Sequence, residues 1–339
     1  MVDTSPQFSP HCSPTRNAER ESARAPHLPS PISHLPLFLA GPTAVGKSET
    51  ALRLAEMLGG EIISVDSMQV YRGLNLGTAK PTAAELLRVP HHLIDVANFN
   101  EAFDAARFVT LARQAVAEIQ ARGRTPIFCG GTGLYFKAFL DGLGDAPPSE
   151  AKLRAELEAA PLADLLRELE QSDPATFAKI DRQNPRRVVR AVEVIRLTGK
   201  TFSEQRAEWM SKAQSPKSKV VFALARESAD LHQRIHARVD QMFADGLVDE
   251  TRALLARGLA QNRTAMQAIG YRQVVELLRG ERDLPATIEL VKIKTRQFAK
   301  RQKTWFRQQL NCEWLELTAD ANAEKTAAEI CRRFWIARA

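Results

Sequence analysis

Leu37-Phe38-Leu39-Ala40-Gly41-Pro42-Thr43-Ala44-Val45-Gly46-Lys47-Ser48 reads as a short buried strand that breaks into Gly41-x4-Gly46-Lys47-Ser48 and runs straight into helix-forming residues, Glu49 to Leu58. That order of strand, loop and helix is the setting of a phosphate-binding P-loop. In such a loop successive backbone N–H groups turn inward on a phosphate, and the helix N-terminus adds its positive dipole end. Gly41, Pro42, Thr43, Ala44, Val45 and Gly46 would form the cradle, Lys47 adds a full charge, and the Ser48 hydroxyl suits a magnesium ion. The pattern leaves open which phosphate compound is held.

Working outward, a second β-rich run, Glu61 to Val65, ends in Asp66-Ser67-Met68-Gln69-Val70-Tyr71. Ligands of open parallel sheets bind outside the carboxyl ends of the strands, which puts Asp66 beside the loop as a base or metal ligand. A helix cap or turn is the other ordinary use of an Asp there. His91-His92-Leu93-Ile94-Asp95 is a short third strand candidate. Ala105, Val109, Ala112, Val116 and Ile119 mark a one-faced helix that stops at Gly123. Pro126 to Cys129 is another apolar strand, opening into Gly130-Gly131-Thr132-Gly133 and a helix from Leu134. Strand and helix alternate, which predicts an α/β fold: a P-loop NTPase-like, doubly wound parallel sheet. The strand at Cys129 ends in no acidic residue, so Asp66 is the strong acidic candidate for that neighbourhood.

From Ala146 to about Lys179 the composition turns to alanine, leucine, glutamate and arginine without strand signals, predicting a helical insertion. It leads into Asn184-Pro185-Arg186-Arg187-Val188-Val189-Arg190, a helix start with three positive charges. A solvated face paired with glutamates explains those charges as well as a polyanion does. Residues 203–217 read as a polar connector and Lys219 to Ala225 as a further strand. The helix from Ser228 sets Arg234 and Arg238 on one face, opposite Ile235, Val239 and Met242. His232 and His236 have metal-ligand spacing, but Gln233 stands where a zinc protease needs Glu, so exposed histidines are expected.

The last long helix, read from Thr287 to about Gln309, carries Lys292, Lys294, Arg296, Lys300, Arg301, Lys303 and Arg307, with no acidic residue between Lys292 and Arg307. Ile288, Val291, Phe298 and Trp305 are spaced to pack that helix on a core. A stripe so one-sided favours contact with a nucleic-acid backbone. A membrane-surface helix would need the apolar face that the core takes. The formal charge of +7 points the same way.

Composition is that of a soluble globular chain, 44% hydrophobic and 26% charged, and no apolar run reaches the ~18 residues of a membrane span. Cys12, Cys129, Cys312 and Cys331 are scattered, which excludes a zinc finger or disulfide framework and suits a reducing cytoplasm. Residues 1–33, rich in Pro, Ser, His and Arg, read as a disordered extension without a secretory h-region. The expected organisation is 34–145 for the first part of the core, 146–215 for the insertion, 216–318 for core completion and the basic helix, and 319–339 for a C-terminal helix or tail.

Taken together, several stretches resemble the tRNA dimethylallyltransferases, also called tRNA isopentenyltransferases. They are Gly-Pro-Thr-Ala-Val-Gly-Lys-Ser at 41, Asp-Ser-Met-Gln-Val-Tyr at 66, Gly-Thr-Ala-Lys-Pro at 77 and His-His-Leu-Ile-Asp at 91. Further on come Gly-Gly-Thr-Gly-Leu-Tyr-Phe-Lys-Ala at 130, Thr-Gly-Lys at 198, Ile-Gly-Tyr-Arg-Gln at 269 and Thr-Arg-Gln-Phe-Ala-Lys-Arg-Gln-Lys-Thr-Trp-Phe-Arg at 295. The resemblance spans about residues 35–318. It implies transfer of a dimethylallyl group from dimethylallyl diphosphate to N6 of the adenosine 3′ of the anticodon of tRNA, with Mg2+ as cofactor.

By the same resemblance Asp66 matches the base, Lys47 and Arg238 the cations on the departing pyrophosphate, and Thr43 and Ser48 its phosphate-contacting hydroxyls. Asp66, Ser67, Met68, Gln69 and Thr132 would line the acceptor side. The anticodon stem-loop would be gripped by Arg154, by Arg186, Arg187, Val188, Val189 and Arg190, and by Gln267, Ala268, Ile269, Gly270, Tyr271 and Arg272. The last grip would be Lys300, Arg301, Gln302, Lys303, Thr304, Trp305, Phe306 and Arg307. Departures are Ser48 for a common Thr, Phe103 for a frequent Tyr, and the loop Asn98 to Asn100. The zinc finger of eukaryotic members has no counterpart, which points to the bacterial type, and nothing in the sequence demands more than a monomer. Two other functions use the same residues: a small-molecule P-loop kinase, and an RNA-binding NTPase switch without group transfer.

Overall fold

The computed structural model describes residues 34–143, 147–205 and 220–336. The expectations for residues 1–33 and for most of the 203–217 connector fall outside them. Six strands, β1 (Leu37–Ala40), β2 (Gly60–Val65), β3 (His91–His92), β4 (Thr125–Gly130), β5 (Val221–Arg226) and β6 (Cys312–Leu317), form one sheet in the order β3-β2-β4-β1-β5-β6. Every pairing is parallel.

The apolar runs are continuous because both faces of the sheet are covered, as parallel sheets require. Along β1, Leu37 and Leu39 point to one apolar cluster while Phe38 and Ala40 point to the other. The same alternation recurs at Ile62 and Ile63 in β2 and at Ile127 and Phe128 in β4. One face receives Leu52, Leu54 and Ala55 of helix Lys47–Leu58, Ile235 and Val239 of helix Ser228–Ala244, and Ile330 and Phe334 of helix Ala323–Ile336. The other receives Phe108 and Val109 of helix Ala105–Ala121 and Phe136 of helix Gly133–Asp141. Each of the larger ones (Leu, Ile, Val, Phe), fully buried, stabilises the layers by about 1.5–3 kcal/mol.

Helices Ala151–Ala159, Leu162–Ser172 and Pro185–Thr198 enclose a third cluster of their own around Leu157, Leu165, Leu169, Val188 and Val192. They form the helical insertion between β4 with its helix and β5.

Four local readings change. The third strand shrinks to His91–His92, because Leu93 and Asp95 take positive φ and end the ladder. The long helix starts at Leu284 rather than Thr287: the Asp283 side chain accepts from Ala286 N at 2.8 Å, and a Pro occupies the first turn. Strand β6 was not expected at all. Phe298, read as a core residue, is instead 37% exposed at the cavity described below, while Val291 is buried as expected.

Candidate active site

β1 is flanked by β4 and β5, so the Gly41–Ser48 loop at its carboxyl end opens in the middle of the sheet. Arg226, at the end of β5 and only 5% exposed, donates through Nε to the Val45 carbonyl at 2.9 Å and pairs with Asp230 at 2.8 Å. Arg234 donates to the Ala44 carbonyl at 3.0 Å. Ala44 takes φ 63°, a left-handed conformation uncommon for a residue with a Cβ, and these anchors on both sides hold it there. Lys47 donates to the Pro42 carbonyl at 2.7 Å. Burial pushes its ammonium down to about 8, with Arg238 adding to the fall and Cys129 and Asp66 opposing it.

The long helix reaches this loop directly. Gln302, expected among the RNA contacts, is buried and bridges two loops: Thr43 N donates to its Oε1 at 2.9 Å and its Nε2 donates to the Gly131 carbonyl at 2.9 Å. The Gly-Gly-Thr-Gly stretch makes that approach possible. A Cβ on Gly131 would stand 2.2 Å from Gln302 Nε2, and one on Gly133 would stand 2.1 Å from the Trp305 ring. Residues 302 and 305 are thus seated where side chains are missing.

Asp66 follows β2. Its Oδ1 accepts from Met68 N at 2.8 Å and Gln69 N at 3.2 Å, the turn use of Asp. Its Oδ2 has no hydrogen-bond partner among the described residues. Thr132 Oγ1 accepts from Ser67 N at 3.0 Å, tying the glycine-rich loop to this turn. A cavity of about 600 Å³ is lined by Thr43, Lys47, Ser48, Asp66, Arg238 and Gln302, with Gln69 and the Thr78–Pro81 segment along one wall. Arg238 lies near Thr43, Nη1 to Oγ1 3.4 Å. Burial lowers its basicity while Asp66 supports its charge. Sequence reasoning missed the anchoring roles of Arg226 and Arg234; a cation after the last core strand, facing loop carbonyls, was the available signal.

The other candidate residues scatter over several environments. Arg187 is exposed, and Arg186 donates to Gln267 Oε1 at 2.9 Å, so two separate segments meet there. Arg154 and Arg190 both pair with the fully buried Glu193, at 3.1 and 2.8 Å. Val188 and Val189 belong to the insertion's core, and Ala268, Gly270, Tyr271 and Phe306 are also buried. In those segments the exposed side chains are Gln267, Arg272, Lys300, Arg301, Thr304 and Arg307, with Ile269, Lys303 and Trp305 half-buried. Lys292 is tied to Asp240 at 2.7 Å and Arg296 contacts His236, which removes them from the free part of the stripe. His232 is exposed, and no cluster of three or more His, Cys, Asp or Glu residues suited to a metal occurs among the described residues. No described helix is long and apolar enough to cross a membrane.

An IPP transferase family model matches residues 69–309. The chain is 44% identical over 281 residues to "tRNA dimethylallyltransferase 1" of Citrifermentans bemidjiense, covering 83% of this chain and 91% of that protein. It is 46% identical over 293 residues to the tRNA dimethylallyltransferase of Halorhodospira halophila, covering 85% and 94%. Among solved structures, the tRNA isopentenylpyrophosphate transferase of Bacillus halodurans superposes with a TM-score of 0.66 at 41% identity, covering 90% of this chain and 96% of that one. A eukaryotic dimethylallyltransferase, described as acting on tRNA, gives 0.75 at 29% identity, covering 90% and 80%. With both the sheet and most of the chain length shared, this chain belongs to the IPP transferase family.

Proposed function

We propose that this chain transfers the dimethylallyl group of dimethylallyl diphosphate to N6 of the adenosine 3′ of the anticodon in tRNA, giving isopentenyladenosine and pyrophosphate. The observation that carries the reading is the single cavity in which Lys47, Ser48 and Arg238 face Asp66, in a member of a family whose relatives bear that name. Lys47 and Arg238 would hold the diphosphate and balance the charge that grows on it as the C1–O bond breaks. Adenine N6 is a weak nucleophile because its lone pair is drawn into the ring. Asp66 Oδ2 would take the N6 proton as the C1–N6 bond forms, Oδ1 being occupied by two backbone amides.

Ser48, at the start of its helix, offers a hydroxyl oxygen, which fits magnesium brought in on the diphosphate with its waters. When bound, that ion supplies further neutralisation of the leaving group. The adenosine would leave its stack to reach Asp66, and the loop around it would be held by the exposed Arg187, Arg272, Lys300 and Arg301. The reading makes the chain a cytoplasmic, monomeric, RNA-binding enzyme.

The experiment is to follow labelled dimethylallyl diphosphate into unmodified tRNA with magnesium, without and with ATP, for the parent and for Asp66→Asn. Label on the RNA with no need for ATP, and a fall of at least ~100-fold in Asp66→Asn with the diphosphate still bound, is the expected result. ATP turnover without labelled RNA would overturn the transfer, and an Asp66→Asn enzyme as fast as the parent would overturn Asp66 as its base.

A further inference from the structure

We propose that Tyr271 and Glu250 are positioning residues for the transfer: they clamp the Asn75–Pro81 loop and, through Gln69, fix the Asp66 turn. The inference rests on Asp66 acting as the base. Tyr271 belongs to a segment expected to touch RNA, yet its side chain is fully buried and points the other way. Its hydroxyl donates to Glu250 Oε1 and accepts from Gly77 N at 3.0 Å. Its ring lies against the Gly77 Cα, where a Cβ would stand 2.4 Å from Cε2.

Glu250, on helix Leu247–Ala256, turns both carboxylate oxygens to the same loop. Its Oε1 also accepts from Asn75 N at 3.2 Å and from Leu76 N at 3.0 Å, and its Oε2 accepts from Leu76 N at 3.2 Å. Three consecutive backbone amides, at 75, 76 and 77, are therefore held by the buried Tyr271 and the half-buried Glu250. Burial and the Glu250 bond push the Tyr271 phenol far above its ordinary range, so it remains a donor at any working pH.

The loop passes this order onward. Gln69 Nε2 donates to the carbonyls of Thr78 and Ala79 at 3.1 and 3.2 Å, and Gln69 Oε1 accepts from Ser64 at 2.8 Å. With its side chain fixed from both ends, Gln69 presents its backbone N–H to Asp66 Oδ1. Ala79 N donates to the Leu76 carbonyl at 3.0 Å, so hydrogen bonds link helix Leu247–Ala256, the loop and Gln69 residue by residue to the carboxylate. Thr78 and Ala79 also form part of the cavity wall, so the clamp shapes the space beside the base as well as its orientation.

The test uses full-length Tyr271→Phe, Glu250→Ala and Glu250→Gln, with kcat, KM for dimethylallyl diphosphate, tRNA affinity by filter binding, and melting temperature. Tyr271→Phe keeps the ring in its seat and removes only the hydroxyl. Expected is a kcat loss of about 10- to 100-fold in Tyr271→Phe and Glu250→Ala, the scale for a reacting group moved by up to ~1 Å, with KM and tRNA affinity within about twofold. Glu250→Gln, whose Oε1 still accepts, should recover most of kcat. If Glu250→Ala does not fold, Tyr271→Phe and Glu250→Gln decide. Unchanged kcat in Tyr271→Phe alongside an inactive Asp66→Asn overturns the clamp and leaves the base standing. An active Asp66→Asn removes the base itself. Weaker tRNA binding at unchanged kcat would make Tyr271 an RNA contact instead, which also overturns the proposal.

Discussion

Gly133→Ala separates a seat for the long helix from a generic flexible loop. Gly133 opens helix Gly133–Asp141 with an ordinary φ, so Ala there would by itself stabilise the protein by about 0.5–1 kcal/mol. The added Cβ, however, would stand 2.1, 2.3 and 2.6 Å from three carbons of the Trp305 ring. Carbon atoms rest at about 3.5 Å or more, so the ring must retreat by about 1.4 Å (3.5 − 2.1). Overpacking of that kind costs about 1–3 kcal/mol, leaving a net loss of up to about 2.5 kcal/mol after the helix gain. The melting temperature should fall by up to roughly 4 °C, since the unfolding entropy of a chain this long is about 0.7 kcal/mol/K. Activity should fall further than stability does, by about 10-fold or more, because Trp305 carries Gln302 with it and Gln302 bridges Thr43 and Gly131. The assay is a thermal melt beside label transfer to tRNA, with Gly133→Ala/Trp305→Leu as the relieving double variant. A Gly133→Ala protein that melts at or above the parent temperature and transfers at full rate would refute the seat.

Two further outcomes concern charge. Lys47, pushed down to about 8 chiefly by burial, is protonated below that pH and neutral above it. Affinity for dimethylallyl diphosphate should therefore hold steady up to pH ~8 and then weaken by up to ~10-fold per pH unit; Lys47→Arg should flatten the profile, and a slope unchanged in that variant would clear Lys47 of the role. In the insertion, burial raises the Glu193 carboxyl, but hydrogen bonds from Ser149 and Arg190 outweigh it and hold the group below its ordinary value. Its contribution is present above the ordinary carboxylate range and lost as pH falls through the depressed one. Glu193→Ala should cost about 2 kcal/mol, less than the 3–5 kcal/mol of a fully buried pair because Arg154 and Arg190 keep some solvent. It should also melt with a shallower dependence on acid pH; an unchanged melting curve would show that the triad is idle.

The sequence made the order of strands and helices legible, because buried parallel strands leave continuous apolar runs and the loop after β1 has its own spacing. Strand β6 escaped because Cys312-Glu313-Trp314-Leu315-Glu316-Leu317 sits at a sheet edge, half-buried, with charges along it. The long helix shows a second limit. Its charge pattern reveals which faces differ but not what packs on each, so Phe298 was assigned to the core and Gln302 to the RNA side, and both lie at the cavity. Polar residues that satisfy partners far away in the chain, such as Glu250 and Tyr271, leave no periodic trace. The arginines at 154 and 190 look like a basic patch until the buried Glu193 between them is seen.

The bond from Thr43 N to Gln302 spans 259 positions. During synthesis the Gly41–Ser48 loop is among the first parts of the fold to leave the ribosome, and its closing partner among the last. A chain halted between residues 133 and 302 carries the whole loop sequence and yet lacks both the bridge to Gly131 and the ring that fills the seat at Gly133. Such chains lack an assembled site, so a ligand of the cavity meets the finished loop only on chains extended past Trp305.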